Sequence, residues 1–254
     1  MHDPRRTKPP SARDIAALTF IGEGYEVAQY QLHAAIFPNV SAVVVSYFVT
    51  RAVRNGWIAV ERWNRVGINR LRLTRVGREA VMRTGGDEKS LFVPKRPVAT
   101  KDVSHTLWIN DVRVALQRCG TPFDAVLAAW QLQRRMIPPP VAIPDVLAIR
   151  KSRVGLPELV FACEIDLGGE RLTRTFLPKL VALHELMREW SGGANAKILV
   201  LTLGAQRVSA INAFALSKEL SICATALPLV SGSDAVEAVA GIVESILERT
   251  VKTS

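Results

Sequence analysis

The sequence predicts an α/β protein, α+β overall, with two domains. Over the first 84 residues, apolar positions recur at helical spacing and then alternate with polar ones, which predicts three helices, a two-stranded hairpin and a further helix. From residue 102 onward, the apolar segments predict the order α-β-β-β-α-β-α-β. That order is typical of a mixed sheet with helices on both faces.

The composition excludes several classes of protein. The chain has 254 residues, 48% of them hydrophobic, which is typical of a folded protein and not of a disordered one. No apolar run approaches the roughly 20 residues that span a bilayer, and the amino terminus lacks an apolar leader, so we expect a cytoplasmic protein without a membrane partner. The three cysteines and four histidines are scattered, which argues against a disulfide framework or a zinc site.

The positive charge is concentrated in the first part of the chain. Residues 1–101 hold 17 Lys and Arg against 8 Asp and Glu, whereas residues 102–254 hold 16 against 15. Clustered basic residues favour a polyanion, and nucleic acid is the leading candidate because Lys and Arg neutralise its phosphates. A basic half can also be a solubilising surface.

The predicted organisation is a basic tail over 1–10, a first domain over 11–84, a turn-rich linker over 85–101 and a second domain over 102–254. Ser11 is a helix cap, and a second helix is expected over 26–36. A third helix is expected from Ser41 to about Asn55, with strands over 57–63 and 68–73.

This order resembles the winged helix-turn-helix fold. The runs RAVRNGWI and LRLTRVGREAV look like the end of a recognition helix, the wing and the next helix in that family. The resemblance implies binding of double-stranded DNA, with the third helix in the major groove and the hairpin against the backbone. The DNA-binding candidates it implies are Ser46, Tyr47, Thr50, Arg51 and Arg54 on the helix, and Arg62, Arg65, Arg70 and Arg72 on the hairpin. The alternatives are a solvated arginine face and a winged helix that contacts only proteins.

In the second domain, three carboxylates fall where two neighbouring strands meet. Asp145 opens one predicted strand, while Glu164 and Asp166 end the next and point to the same face because they are two residues apart. Oxygen ligands of this kind suit Mg²⁺ or Mn²⁺, which can activate water for phosphodiester cleavage. Lys179, on the following helix, can orient that water. Alternatively, each carboxylate is an ordinary residue at the sheet rim.

The carboxylate arrangement resembles the PD-(D/E)xK nuclease superfamily. In that superfamily a lysine stands two residues after the glutamate, where this chain has Asp166, so the resemblance implies that Lys179 replaces it from the helix. The catalytic residues implied are Asp145, Glu164, Asp166 and Lys179, and the metal ligands are the three carboxylates.

A longer resemblance covers nearly the whole chain. The segments HTLWINDVRVAL, IPDVLAIR and FACEIDLGGERLTRTFLPKL look like the replication-relaxation family of plasmids and integrative elements, with Glu164, Asp166, Glu170 and Lys179 at its core positions. Two positions depart from that family. Gln133 stands where an acidic residue often follows the tryptophan-containing strand, and no tyrosine follows Lys179. The resemblance implies a DNA-binding accessory or regulatory protein acting in replication, mobilisation or transcriptional control, with replication or mobilisation proteins as further partners.

Two further hypotheses remain at this point. The first is a Mg²⁺-dependent DNA endonuclease that uses the four residues above. The second concerns the amphipathic segment 234–250, which is expected either to pack in the core or to form a homodimer helix.

Overall fold

The computed structural model describes residues 9–63, 67–96, 98–99, 102–136, 140–153, 158–192, 195–228, 230 and 232–251. These residues form helices and two separate β-sheets. The predicted mixture of α and β structure is therefore confirmed at the level of fold class. The chain divides into two compact units, Met1–Asn110 (unit 1) and Asp111–Ser254 (unit 2). No helix in the described parts of the chain has the length and apolar character needed to cross a membrane.

Unit 1 combines four helices with a three-stranded antiparallel sheet in the order β1-β3-β2. The second and third strands form a hairpin, with Ile58 opposite Leu73 and Trp63 opposite Ile68. The elements in chain order are α1 (Ala12–Glu23), β1 (Val27–Ala28), α2 (Gln29–Ile36), α3 (Ala42–Arg54), β2 (Ile58–Trp63), β3 (Ile68–Leu73) and α4 (Arg75–Met82).

Local hydrogen bonds explain where α1 begins and where α2 differs from the prediction. Ser11 caps α1 reciprocally with Asp14: each backbone N–H donates to the other side chain, at 2.8 and 3.2 Å. The predicted helix over 26–36 is wrong at its start. Tyr25 has a φ of 64° and turns the chain, so that β1 pairs with β3 before α2 begins.

The core of unit 1 lies between the helices and one face of the sheet. Helix α1 packs against α2, α4 and β3, and α3 packs against β2. The closest approach is at Gly77 of α4, where a Cβ would lie 2.7 Å from Leu73 Cδ1 and 3.0 Å from the Trp57 carbonyl carbon. Only glycine therefore fits where α4 crosses the start of β2.

The segment predicted as a linker over 85–101 belongs to unit 1, and its described part makes contacts within that unit. Leu91 is buried, the Phe92 N–H donates to the Gly22 carbonyl at 2.9 Å, and the Val98 N–H donates to Glu26 Oε1 at 2.8 Å. The division between the units falls after Asn110, within helix α5 (Val103–Arg118).

Unit 2 contains a five-stranded mixed sheet in the order β4-β5-β6-β7-β8. The β4-β5 and β5-β6 pairs are antiparallel, and the β6-β7 and β7-β8 pairs are parallel. The elements after α5 are β4 (Ala125–Ala128), α6 (Ala129–Arg135), β5 (Val146–Arg150), β6 (Leu159–Asp166), a π-helical turn (Leu172–Phe176), α7 (Leu177–Trp190), β7 (Ala196–Thr202), α8 (Ala205–Ser217), β8 (Ile222–Ala226) and α9 (Ser233–Val251).

The sequence predicts the first strand of this unit over 123–130, and this prediction is wrong at the carboxyl end of the strand. Strand β4 ends at Ala128, because the Gln131 side chain accepts a hydrogen bond from the Ala128 N–H at 2.9 Å and starts α6. Trp130 therefore lies on a helix. Further along, α9 follows its predicted bounds closely and buries its apolar stripe, including Val236, Val239 and Val243.

Strand β6 lies at the centre of the sheet and is buried along its whole length. Its residues alternate between the two faces of the sheet. Val160 and Ala162 face the side on which α7 packs, in a cluster with Leu180 and Leu183. Glu164 and Asp166 continue this alternation, so both carboxylates end the strand on the α7 side.

Candidate functional site

Helix α3 presents one apolar side to the core of unit 1 and another side to solvent. The buried side comprises Val45, Phe48, Val49 and Ala52. The exposed side carries four residues that follow one another at intervals of three or four positions, which is helical spacing. Three of them are predicted DNA-binding residues. These residues are Val43, Tyr47, Thr50 and Arg54.

A groove of about 740 Å³ runs between the start of α1 and the exposed side of α3. Three arginines line it. Arg51 pairs with the nearly buried Asp14, and the Arg13 guanidinium lies 6.0 Å from the centre of the Phe37 ring. The other polar or charged lining residues are Ser11, Tyr47, Thr50 and Arg54. Among the described lining residues, Asp14 is the only acidic one against three arginines, so this lining carries net positive charge.

Ser46 is exposed, as predicted, but its hydroxyl is already engaged within the unit. The hydroxyl donates to the Ala42 carbonyl at 3.1 Å and accepts from the Gln29 side-chain amide at 3.0 Å. These contacts leave Ser46 a weaker candidate for a DNA contact than Tyr47, Thr50 or Arg54.

The hairpin arginines divide into exposed and buried positions. Arg62 is exposed on β2, as predicted, and Arg65 lies outside the described residues. The prediction is wrong for Arg70, whose side chain is only 6% exposed. Arg70 pairs with Glu26 at 2.9 Å and with Glu61 at 3.1 Å. Arg72 is largely buried too, and its Nε lies 3.9 Å from Glu26 Oε1.

Glu26 is the reason that β3 turns its arginines inward. Its carboxylate is buried and meets Arg70 and Arg72 of β3 as well as the Val98 N–H. The pKa of Glu26 is raised from its ordinary value: burial is the largest cause and Glu61 adds to it, while the Val98 N–H and the two arginines act in the opposite direction. The arginines of β3 thus compensate a buried charge and are not available to a partner at the surface.

In unit 2, the end of β6 brings together three of the four predicted catalytic residues: Asp145, Glu164 and Lys179. Val146 of β5 pairs with Cys163, so Asp145, one residue earlier, lies beside Glu164 on the neighbouring strand. Asp145 Oδ2 accepts a hydrogen bond from the Ile165 N–H at 2.8 Å. This bond fixes the Asp145 side chain against β6.

Lys179 reaches Glu164 from α7, as the sequence suggested, with Nζ 2.6 Å from Oε2. The glutamate is 1% exposed, and its other oxygen, Oε1, is buried without a hydrogen-bond partner among the described residues. Burial and the neighbouring Asp145 raise the pKa of Glu164 to about 8. Burial alone would lower the pKa of Lys179, but Glu164, together with Asp145 and Glu170, raises it.

Asp166 belongs to a second cluster beside the first. Its Oδ2 accepts from the Thr202 hydroxyl at 2.8 Å and pairs with Arg207, while its Oδ1 accepts from the Gly168 N–H at 2.9 Å. Arg207 also donates to the Glu170 carbonyl at 3.0 Å. Both oxygens of Asp166 are therefore engaged.

Thr202 and Arg207 are not among the site residues predicted from the sequence. Thr202 ends β7 directly opposite Asp166, and Arg207 stands near the start of α8. The carboxyl ends of the parallel strands β6 and β7 meet at one sheet edge. That pattern could have predicted Thr202, whereas nothing in the local sequence pairs Arg207 with Asp166.

The donor set fits a hard cation in part. Asp145 and Glu164 offer carboxylate oxygens of the type that Mg²⁺ and Mn²⁺ prefer, and the unpartnered Glu164 Oε1 would gain most from an ion. Within the described ranges, however, no three His, Cys, Asp or Glu side chains form a group that could hold a metal. An ion at this site would be held by Asp145 and Glu164, with water completing its coordination shell. Asp166 would not bind the ion but would hold the loop over 166–170.

Comparison with known proteins identifies no family. No protein-family model matches the chain, and no curated protein matches it. Among solved structures, it is similar to the crystal structure of protein VC1899 from Vibrio cholerae, with 13% sequence identity and a TM-score of 0.31. The match covers 94% of this chain and 57% of that one, so this chain spans little more than half of that protein. So weak a likeness carries neither fold nor activity to this chain.

The buried network under the hairpin gives a prediction for Arg70. Arg70→Ala leaves Glu26 buried without its closest cation, and removal of one member of a buried pair costs about 3–5 kcal/mol. We expect chemical denaturation of the full chain to show a loss of stability of this order. The exposed Arg54→Ala variant should unfold like the wild type.

The double variant Glu26→Gln/Arg70→Met separates the charge effect from packing. We expect it to recover part of the stability that Arg70→Ala loses, because it removes the buried charge of Glu26 together with that of Arg70. An Arg70→Ala variant as stable as the wild type would contradict the structural role assigned to Arg70.

Proposed function

We propose that this protein binds double-stranded DNA through unit 1, with α3 in the major groove and the β2-β3 hairpin against the backbone. One observation carries the proposal: α3 exposes Tyr47, Thr50 and Arg54 on one side while its opposite side is buried. An α-helix fits the major groove, and its exposed side is the surface that meets the bases and phosphates.

The order of elements in unit 1 supports this role. Three helices lead into a two-stranded hairpin that is completed by a short third strand, and a fourth helix follows. This order supports the proposal because it is typical of a winged helix-turn-helix domain, the fold that the sequence resembles. The hairpin is the wing, and Arg62 is its exposed basic residue in the described part.

The charge of the chain supports a polyanionic partner. The excess of basic residues lies within 1–101, and the groove beside α3 brings Arg13, Arg51 and Arg54 to one surface. Most protein–DNA hydrogen bonds go to the phosphates and sugars, and such contacts orient a protein without reading sequence. We assign this positioning role to the arginines.

The biological setting follows from the resemblance to the replication-relaxation family. On that basis we propose an accessory or regulatory DNA-binding protein of a plasmid or integrative element, acting in replication, mobilisation or transcriptional control. Unit 2 would then serve as a platform for replication or mobilisation proteins, or for a second copy of the chain.

The Arg54→Ala variant tests DNA binding. Removal of one phosphate contact should weaken binding to any duplex and reduce the slope of log K against log salt by about one. Fluorescence anisotropy with a labelled duplex over a salt series measures both quantities. Arg54 suits this test better than Arg51, whose loss would also leave Asp14 without its cation.

Arg188→Ala is the matched control, because it removes the same charge from an exposed helix position in unit 2. We expect it to bind DNA like the wild type. Equal binding by the Arg54 and Arg188 variants would contradict the assignment of α3, and no salt-sensitive binding by the wild type would contradict DNA binding itself.

A second candidate function is a metal-dependent endonuclease in unit 2. The observation that favours it is Glu164 Oε1, which is buried beside Asp145 and has no hydrogen-bond partner in the described part of the chain, while Lys179 is bonded to the other oxygen. A bound Mg²⁺ would supply Lewis-acid stabilisation of the phosphate. Asp145 and Glu164 would hold it, and the Lys179 ammonium would position the attacking water. Asp166 would hold the 166–170 loop through its bonds to Gly168 and Arg207.

Supercoiled plasmid incubated with Mg²⁺ or Mn²⁺ tests the second candidate. If it holds, the wild type nicks the plasmid in the presence of either metal and not in EDTA. Glu164→Gln then abolishes nicking but preserves folding and the mobility shift, because it keeps the shape of the side chain and removes its charge. Glu189→Gln, at an exposed position of α7, is the control. Absence of metal-dependent nicking by the wild type would overturn this candidate.

A further inference from the structure

The two halves of α3 differ in chemistry. Its amino-terminal half exposes large apolar side chains: Val43 is 60% exposed, Val44 41% and Tyr47 73%. Its carboxyl-terminal half exposes Arg51 and Arg54. Neighbouring apolar groups left in water on a folded domain mark a contact surface.

The apolar and basic parts belong to one surface. Val44 and Tyr47 line the same groove as Arg51 and Arg54, and Val43 lies one turn before Tyr47 on the exposed side of the helix. A partner that covers the valines therefore meets the arginines as well. This combination favours an anionic partner that also offers apolar groups, and the DNA major groove is such a partner.

The amino-terminal half of α3 has little to offer for reading bases by hydrogen bonds. The helix contains no Asn, Gln, Asp or Glu, the residue types that pair with adenine or cytosine edges. The Ser46 hydroxyl is engaged with Ala42 and Gln29. The apolar group that B-DNA exposes in its major groove is the C5-methyl of thymine.

We propose that Val43, Val44 and Tyr47 contact thymine methyl groups, so that the protein prefers duplexes with thymines beneath the amino-terminal half of α3. This inference rests on the proposed function, because it requires α3 to enter the major groove. Residues near the amino terminus of a recognition helix are those that reach base edges. The arginines of the second half then face the phosphates.

Replacement of thymine by uracil tests the contact directly, since the two bases differ only in that methyl group. A pool of random duplexes is enriched by binding to the full-length protein, and the enriched sequences are synthesised with thymine or with deoxyuridine. We expect the wild type to bind the uracil duplex more weakly, by about fourfold for each methyl group that it buries.

Val43→Ser identifies the side chain responsible. This variant should bind the thymine duplex about fourfold more weakly than the wild type, and its preference for thymine over uracil should shrink by the same factor. Val53→Ser is the matched control: Val53 is 44% exposed on the same helix but lies in its carboxyl-terminal half, outside the groove lining. It should retain the wild-type preference.

The outcomes separate this inference from the proposed function. Equal binding of the thymine and uracil duplexes by the wild type, while Arg54→Ala still weakens binding, would overturn thymine contact and leave DNA binding intact. Salt-sensitive binding without enrichment of any sequence would likewise overturn thymine contact alone, whereas failure of the wild type to bind any duplex would overturn both. A Val43→Ser variant that changes the oligomeric state in sedimentation but not the preference for thymine would show that the valines cover a protein interface, and would overturn the inference.

Discussion

The carboxylate of Glu26 has to be compensated without water, and the arrangement of unit 1 depends on that requirement. Its partners come from two separate parts of the chain: Arg70 and Arg72 lie on the hairpin, and the Val98 N–H lies in the segment before α5. Because a buried charge without partners is costly, these parts must be in place together. The network thus fixes the hairpin against β1 while α3 keeps its outer side uncovered.

In unit 2, a buried carboxylate at the end of the central strand also needs a compensating cation. Glu164 is buried in β6, and its compensating cation is on α7. The neighbouring Asp166 obtains its cation from α8. Two ion pairs of this kind hold two helices to one sheet edge, which is compatible with a structural platform. A catalytic site needs a ligand oxygen that is not already hydrogen-bonded, and the buried Glu164 Oε1 has no such partner among the described residues.

The spacing of apolar residues predicted those features of the fold that are set by residues close together in the sequence. Helical spacing placed Val45, Phe48 and Val49 inside and Tyr47 outside, because burial follows the period of the helix. Strand alternation put Arg70 and Arg72 on one face of β3, but could not show that Glu26, 44 residues away, covers that face. The Asp166–Arg207 pair spans 41 residues and was missed for the same reason. Lys179 was found because the helix that follows a central strand returns across it.

Cross-linking from α3 tests directly whether this helix contacts DNA. A photo-activatable phenylalanine analogue replaces Tyr47 in the full-length protein, which is then irradiated with a labelled duplex at low and high salt. The same analogue replaces Leu216, an exposed residue of unit 2, as the control. If α3 meets DNA, position 47 gives a salt-sensitive protein–DNA cross-link and position 216 a much weaker one. Equal cross-linking from both positions, or none from position 47, would contradict DNA contact by α3.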